Sequence, residues 1–186
     1  MIEALSHIFT SFGLSASAGL NAYLPLLIVA LVARFTDLIR LNIPFDALTN
    51  GWVIALLGVL TLIEVLVDKI PVVDTINDII HTFVRPAAGA ILFAASSNAI
   101  SDVHPVLALI CGILVAGAVH AAKTTTRPLV TATTAGTANP VVSTIEDITS
   151  GVVSLLSILV PIVAFVLILM GAWLLLRPLR HAMVRA

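Results

Sequence analysis

The chain has 186 residues, 60% of them hydrophobic and 10% charged, with 9 Lys+Arg against 10 Asp+Glu and a mean hydropathy of +1.16. Soluble chains carry about 25% charged residues, so this composition excludes an ordinary soluble domain, along with a disordered tail, a collagen and a disulfide scaffold, since Cys111 is the sole cysteine. The formal charge of -1, with no basic run interleaved with aromatics, removes the electrostatic footprint of a nucleic-acid binder.

The charges leave long uncharged windows at 4–33, 47–63, 86–101, 103–122, 128–145 and 148–176. A helical span needs about 20 apolar residues, and lipid accepts only backbone whose hydrogen bonds close internally. The expected fold is therefore an all-α integral membrane protein in one domain, 1–186, with about four to six membrane helices, some of them broken or re-entrant. Window 4–33 would run about 45 Å as one helix, more than a bilayer core. A break is predicted within "SASAGLNAYLP" (15–25), where Gly19, Asn21 and Pro25 weaken the helix. The first seven residues carry Glu3 and no Lys or Arg, and the apolar run continues through Leu31, so the segment is expected to be retained rather than cleaved as a signal.

A second span, about 52–68, ends in Glu64, Asp68 and Lys69. The stretch 70–86 follows with Val72, Val73, Ile76, Ile79, Ile80 and Phe83 at helical spacing opposite Asp74, Asn77, Asp78, His81 and Arg85. This pattern predicts an amphipathic helix over about 71–84, interfacial or packed rather than spanning. A short helix from Pro86 to about Ser97 and a span from Pro105 to about Lys123 come next. The Thr-rich, charge-poor "TTTRPLVTATTAGTANP" (124–140) predicts a re-entrant, non-helical segment facing the interior. From Pro140 to Leu176 a last window kinks at Pro161, with Ser143, Asp147, Ser150, Ser154 and Ser157 forming one polar stripe. Arg177, Arg180, His181 and Arg185 close the chain and predict a cytoplasmic C-terminus in the inner membrane.

Two fragments, "SAGLNAYLP" (17–25) and "TAGTANPVV" (134–142), form a candidate internal repeat. Broken helices meeting near the midplane would offer N-terminal N–H groups to a ligand.

A charge forced toward the membrane interior costs at least about 2.5 to 3.5 kcal/mol, so the number of such residues needs a reason. Glu64 and Asp68 share a helix face four residues apart, and His120, Lys123 and Arg127 share another. With Asn21, Lys69, Asp74, Asp78, His81, Arg85, Asn139, Glu146 and Asp147 they make up the candidate substrate or ion pathway. Three readings remain open at this point: structural ion pairs, a hydrated vestibule for protons or cations, and an anion or phosphate-headgroup site on Arg85, Lys123 and Arg127. For the first, Lys123 and Arg127 are expected to pair with Glu64, Asp68, Glu146 or Asp147; where the first four meet in the interior, Glu64 goes with a buried Lys123 and Asp68 with Arg127 as a weaker, more exposed pair. No GxSxG, HExxH or paired CxxC occurs, so no catalytic residue, metal or cofactor is expected. Membrane lipids are the expected partners, together with a second copy of the chain, because Gly112, Ala116 and Gly117 permit close helix approach.

The combination of "DKIPVVDTINDIIHTFVRP" (68–86), "HAAK" (120–123) followed by Arg127, "VVSTIED" (141–147) and "SAGLNAYLP" resembles a family of small bacterial inner-membrane proteins known as domain of unknown function 4126. The resemblance spans nearly the whole chain and implies a single-domain integral membrane protein, with no established substrate. The expected function is transporter- or channel-like, moving a small solute, ion or phospholipid headgroup through a polar site between broken helices. A non-catalytic accessory or scaffold protein with an ion-pair core is the competing expectation.

Overall fold

The structure, a computed structural model, describes residues 2–70, 73–97 and 104–183; within these, the side chains of 2, 74–76 and 174–183 lie outside the description. The described regular structure is helical: α1 (Ile2–Leu20), α2 (Tyr23–Phe35), a 3-10 turn (Phe45–Thr49), α3 (Gly51–Val67), α4 (Val73–Ser97), α5 (Pro105–Thr134), α6 (Asn139–Leu159) and α7 (Pro161–Met183). Among the described residues three helical stretches are long and apolar enough to cross a membrane, Asn77–Ser97, Pro105–Thr134 and Asn139–Leu159, while Tyr23–Phe35, Gly51–Val67 and Pro161–Trp173 are shorter apolar helices.

The first window breaks where the sequence predicts. α1 stops at Leu20 and α2 starts at Tyr23, with Asn21 Oδ1 accepting the Leu24 N–H at 2.9 Å. Pro25 then stands in the first turn of α2, where its missing N–H leaves no intrahelical bond unmade. Asn50 caps α3 by accepting from Trp52 N–H, and His104 caps α5 by accepting from Val106 N–H ahead of Pro105. At Val160 the chain separates α6 from α7 instead of merely kinking.

Two expectations are corrected. The amphipathic stretch and the helix after Pro86 are one continuous helix, α4, and its portion from Asn77 onward is itself long and apolar enough to span. An internal proline costs about 3 kcal/mol, and α4 offsets it by packing along α5 and α1. The predicted re-entrant segment is likewise helical to Thr134, straight through Pro128. Its threonines do not compete with the helix, because Thr124, Thr125, Thr126, Thr131, Thr133 and Thr134 each return the hydroxyl to the carbonyl four residues back. Only a short turn through Ala135 and Gly136, both with positive φ, separates α5 from α6. The two fragments of the candidate repeat fall at the α1–α2 and α5–α6 breaks.

Polarity runs opposite to that of a soluble protein. On α4, Ile79, Ile80 and Phe83 point outward while Asp78, His81 and Arg85 are buried; on α6, Val141, Ile145, Ile148 and Val152 are exposed while Ser143, Ser150, Ser154 and Ser157 are buried. In water such an arrangement would expose apolar area and desolvate charge together, both unfavourable. Lipid around the bundle removes the first cost.

Consecutive helices from α1 to α6 alternate in direction. α1 and α4 run antiparallel, with Ser15 Oγ donating to Gly89 C=O and Ser96 to Ser11; α1 and α6 do the same, with Ser150 Oγ donating to Ser17 C=O and Thr10 to Ser157 C=O. Gly89 and Gly112 bring α4 and α5 into backbone contact: a Cβ on Gly112 would lie 2.4 Å from Gly89 O. Two of the three small residues that suggested a second copy, Gly112 and Ala116, therefore meet α4 of the same chain.

Candidate functional site: a buried ionic network at one end of the bundle

The alternation brings the C-terminal ends of α1 and α3, the N-terminal parts of α2, α4 and α6 and the later turns of α5 to one end of the bundle. Charged residues of α3, α4, α5 and α6 and the residues just after α3 meet there with backbone groups of α1 and α2. Along α5, His120 and Arg127 lie about 22 and 33 Å from Pro105 at the helical rise, so the network occupies the far part of the helix rather than its middle.

The break between α1 and α2 is held by charges of opposite sign. Leu20 C=O, left without an intrahelical donor, accepts from Lys123 Nζ at 3.2 Å. The N–H of Ala22 lies 3.0 and 3.1 Å from the two Glu64 oxygens, and that of Tyr23 donates to Glu64 Oε2 at 3.3 Å. A cation on a helix C-terminus and a carboxylate on an N-terminus each complement the helix dipole. The α2 N-terminus that the sequence suggested as a ligand site is thus already occupied by Glu64.

Arg85, fully buried, is the centre of the network. Its Nη2 meets Glu64 Oε1 at 3.2 Å and Asp68 Oδ2 at 3.3 Å, its Nη1 meets Asp78 Oδ1 at 3.2 Å, and Nη1 also donates to His120 Nδ1 at 2.9 Å. Asp68 Oδ2 takes two further cations, Lys123 Nζ at 3.0 Å and Arg127 Nη2 at 3.6 Å, while Asp68 Oδ1 accepts from Asn77 at 2.8 Å. Glu146 joins Lys123 at 3.1 Å and bonds Arg127 Nη2. Beside them, Asp147 accepts from Asn21 at 3.0 Å and pairs with Lys69 at 3.4 Å.

The expected pairing is corrected. Glu64 meets Arg85 and the α2 backbone, not Lys123, and Asp68 is the most shared acid, not the more exposed one: both carboxylates are 1% exposed. Asn139 is not drawn in by its hydrogen bonds, which go to Thr131 across the α5–α6 turn. The Asp74 side chain lies outside the described residues, as do those of Arg177, Arg180 and His181 and the whole of Arg185. Sequence reasoning passed over Asn77, Thr82 and the Ala22 and Tyr23 N–H groups. Asn77 was legible, standing on the same polar stripe as Asp78 and His81; the backbone donors were not. Among the described residues no group of His, Cys, Asp and Glu has the arrangement of a metal site.

The described residues form a helical bundle with apolar outer faces, three membrane-length helices and a charged interior, the architecture of a membrane protein. The chain belongs to the family described as Domain of unknown function (DUF4126), whose match covers residues 8–181. No curated protein and no solved structure matches it.

Proposed function

We propose that the protein is a transporter-like membrane protein that moves a small solute or ion through the polar site at the α1–α2 break, and that it carries out no covalent chemistry. The observation that carries this reading is the double use of Glu64 and Lys123: the side chains able to bind a polar cargo are the ones that hold the broken helix ends. A cargo or proton that draws Glu64 away frees the N–H groups of α2, so binding is coupled to the position of a helix end. Discontinuous helices serve this way in secondary transporters. The inner membrane, with the basic C-terminus on the cytoplasmic side, is the location that the charge distribution of the sequence supports.

The competing reading, a structural ion-pair core in an accessory protein, is favoured by one specific observation: each of Glu64, Asp68, Asp78 and Glu146 has at least one basic partner. The two differ in water access. In a Cys111→Ala background, Lys123→Cys in intact membranes should be labelled by a membrane-impermeant thiol reagent if the site opens. Complete protection, with full labelling after solubilisation and unfolding, would favour the sealed core. Proteoliposomes probed with an imposed pH gradient, sodium or rubidium provide the second test, any flux being lost in Glu64→Gln.

A further inference from the structure

The network holds four acids, Glu64, Asp68, Asp78 and Glu146, against three bases, Arg85, Lys123 and Arg127. The adjoining Lys69–Asp147 pair changes nothing in that count. With neutral histidines these described residues sum to a formal -1 (three positive, four negative) inside a bundle whose surroundings are apolar. An uncompensated charge there costs several kcal/mol, so among the described residues a further positive charge is favoured.

Two histidines adjoin the network, and hydrogen bonding assigns them different roles. Thr82 has one hydroxyl hydrogen, which it donates to Asp78 C=O at 3.0 Å. The 3.3 Å contact between Thr82 Oγ1 and His120 Nε2 therefore has the imidazole as donor. His120 Nδ1 is then a bare acceptor, as it must be, because Arg85 Nη1 at 2.9 Å can only donate. His120 is a neutral tautomer locked on both sides. His81 is different: its Nδ1 is buried without a hydrogen-bond partner and lies 3.4 Å from Glu64 Oε1. In the Nε2–H tautomer that nitrogen sets its lone pair against the carboxylate oxygen, an arrangement that one added proton turns into a charge-assisted hydrogen bond.

We propose that His81 Nδ1 and Glu64 Oε1 together bind a single exchangeable proton, which offsets one negative charge of the described network. This rests on the transport reading and names its ion. Binding adds one proton to Nδ1, giving an imidazolium that donates to the Glu64 carboxylate, and breaks no other bond. The groups facing His81 are Glu64 and Asp68 from α3, the Tyr23 ring from α2 at 5.7 Å, Asp78 and Arg85 on its own helix, and His120 and Lys123 from α5. The same proton competes with the N–H groups of Ala22 and Tyr23 for Glu64, so its arrival loosens the hold on α2.

Nitrogen NMR of the full chain labelled in its histidines, in nanodiscs, tests this, with His81→Gln used for assignment. The expected result is that His81 Nδ1 carries a proton at acid pH and gives it up in one step as the pH is raised. In Glu64→Gln the attracting charge is gone, and proton affinity should fall at least tenfold, while His120 keeps its Nε2–H tautomer in both. Identical His81 titrations in wild type and Glu64→Gln overturn the proposal. So does a wild-type His81 that never protonates, a result that needs no variant to fold. A His81 signal that moves on replacing choline chloride with sodium or potassium chloride also overturns it, in favour of a metal cation. The titration needs no flux: a protein that binds this proton and moves nothing refutes only the transport reading, and one that moves an ion with an inert His81 refutes only the proton site.

Discussion

Glu64 caps a helix to which it does not belong: its two carboxylate oxygens lie 3.0 and 3.1 Å from the backbone nitrogen of Ala22 at the head of α2. The carboxylate on α3 thereby replaces the turn of helix that α2 lacks, and ties the position of α2 to the charge state of α3.

The first prediction follows from that contact. Glu64→Ala removes the cap and leaves Arg85 short of a partner, and breaking a buried pair costs of order 3 to 5 kcal/mol. Glu64→Gln keeps an acceptor for Ala22 and should lose less. Arg85→Gln combined with Glu64→Gln should recover part of the single Arg85→Gln loss, because Glu64 is no longer stranded. Thermal unfolding in detergent reads all four, and equal losses for Ala and Gln would show that the cap carries no stability.

Asp68 and Lys123 are unequal partners. Asp68→Asn keeps an oxygen for Asn77 and removes one acid from a described network that holds more acids than bases, whereas Lys123→Met removes a base, takes the donor from Leu20 C=O and leaves Glu146 with Arg127. Lys123→Met is therefore expected to be the more destabilising. An Asp68→Asn protein that unfolds at the lower temperature contradicts the assigned pairing.

Helix contact makes a sharper case. At Gly112 a new methyl group would meet Gly89 and Ala90 backbone at 2.4 to 2.7 Å, and backbone cannot step aside. Gly112→Ala should cost about 1 to 3 kcal/mol by overpacking. Gly58 has nothing within 4 Å of the added carbon, so Gly58→Ala should be neutral or stabilising by up to about 1 kcal/mol through helix propensity. Melting temperatures of opposite displacement are the expected result.

Gly13 faces Ser157 of α6, whose hydroxyl would lie 1.9 Å from an added Cβ. Gly13→Ala should destabilise α1–α6 packing, and Ser157→Gly should rescue it, since the nearest remaining Ser157 atom, Cα, is 3.7 Å away. Additive losses in the double variant would place the obstruction elsewhere.

Leu114 is exposed on α5, about 14 Å along the helix from Pro105. In water Leu114→Asp would be harmless; in a bilayer a central Asp costs at least about 2.5 to 3.5 kcal/mol. Loss of membrane-integrated protein is expected from Leu114→Asp and not from Leu114→Phe, as measured in the carbonate-washed membrane fraction.

Much of the fold was legible because lipid imposes long-range rules on local sequence. Uncharged windows marked the helices, and Asn21 with Pro25 marked the first break. The α6 serine stripe showed one inward face, since a period of 3.6 fixes which residues share a side. Pro86 and Pro128 misled, because proline's penalty is a local quantity; the packing of α4 on α5 and α1, and the return of threonine hydroxyls to their own helix, are not visible in a proline count.

The sequence by itself determined that acids and bases would be buried together, since Glu64 and Asp68, and likewise His120, Lys123 and Arg127, stand at spacings that put each set on one face between apolar stretches. Only the tertiary structure decided who meets whom. Spacing along one helix gives a side and a height, but a partner depends on the relative height of another helix, set here by the Gly89–Gly112 contact and the antiparallel run of α4 against α5. That height puts Arg85 opposite His120, while the packing of α3 beside α4 brings Glu64 to Arg85 and leaves Lys123 to reach Asp68 and Leu20 C=O. The packing also leaves buried His81 Nδ1 3.4 Å from Glu64 without a hydrogen-bond partner, a feature of two helices at once that neither sequence contains.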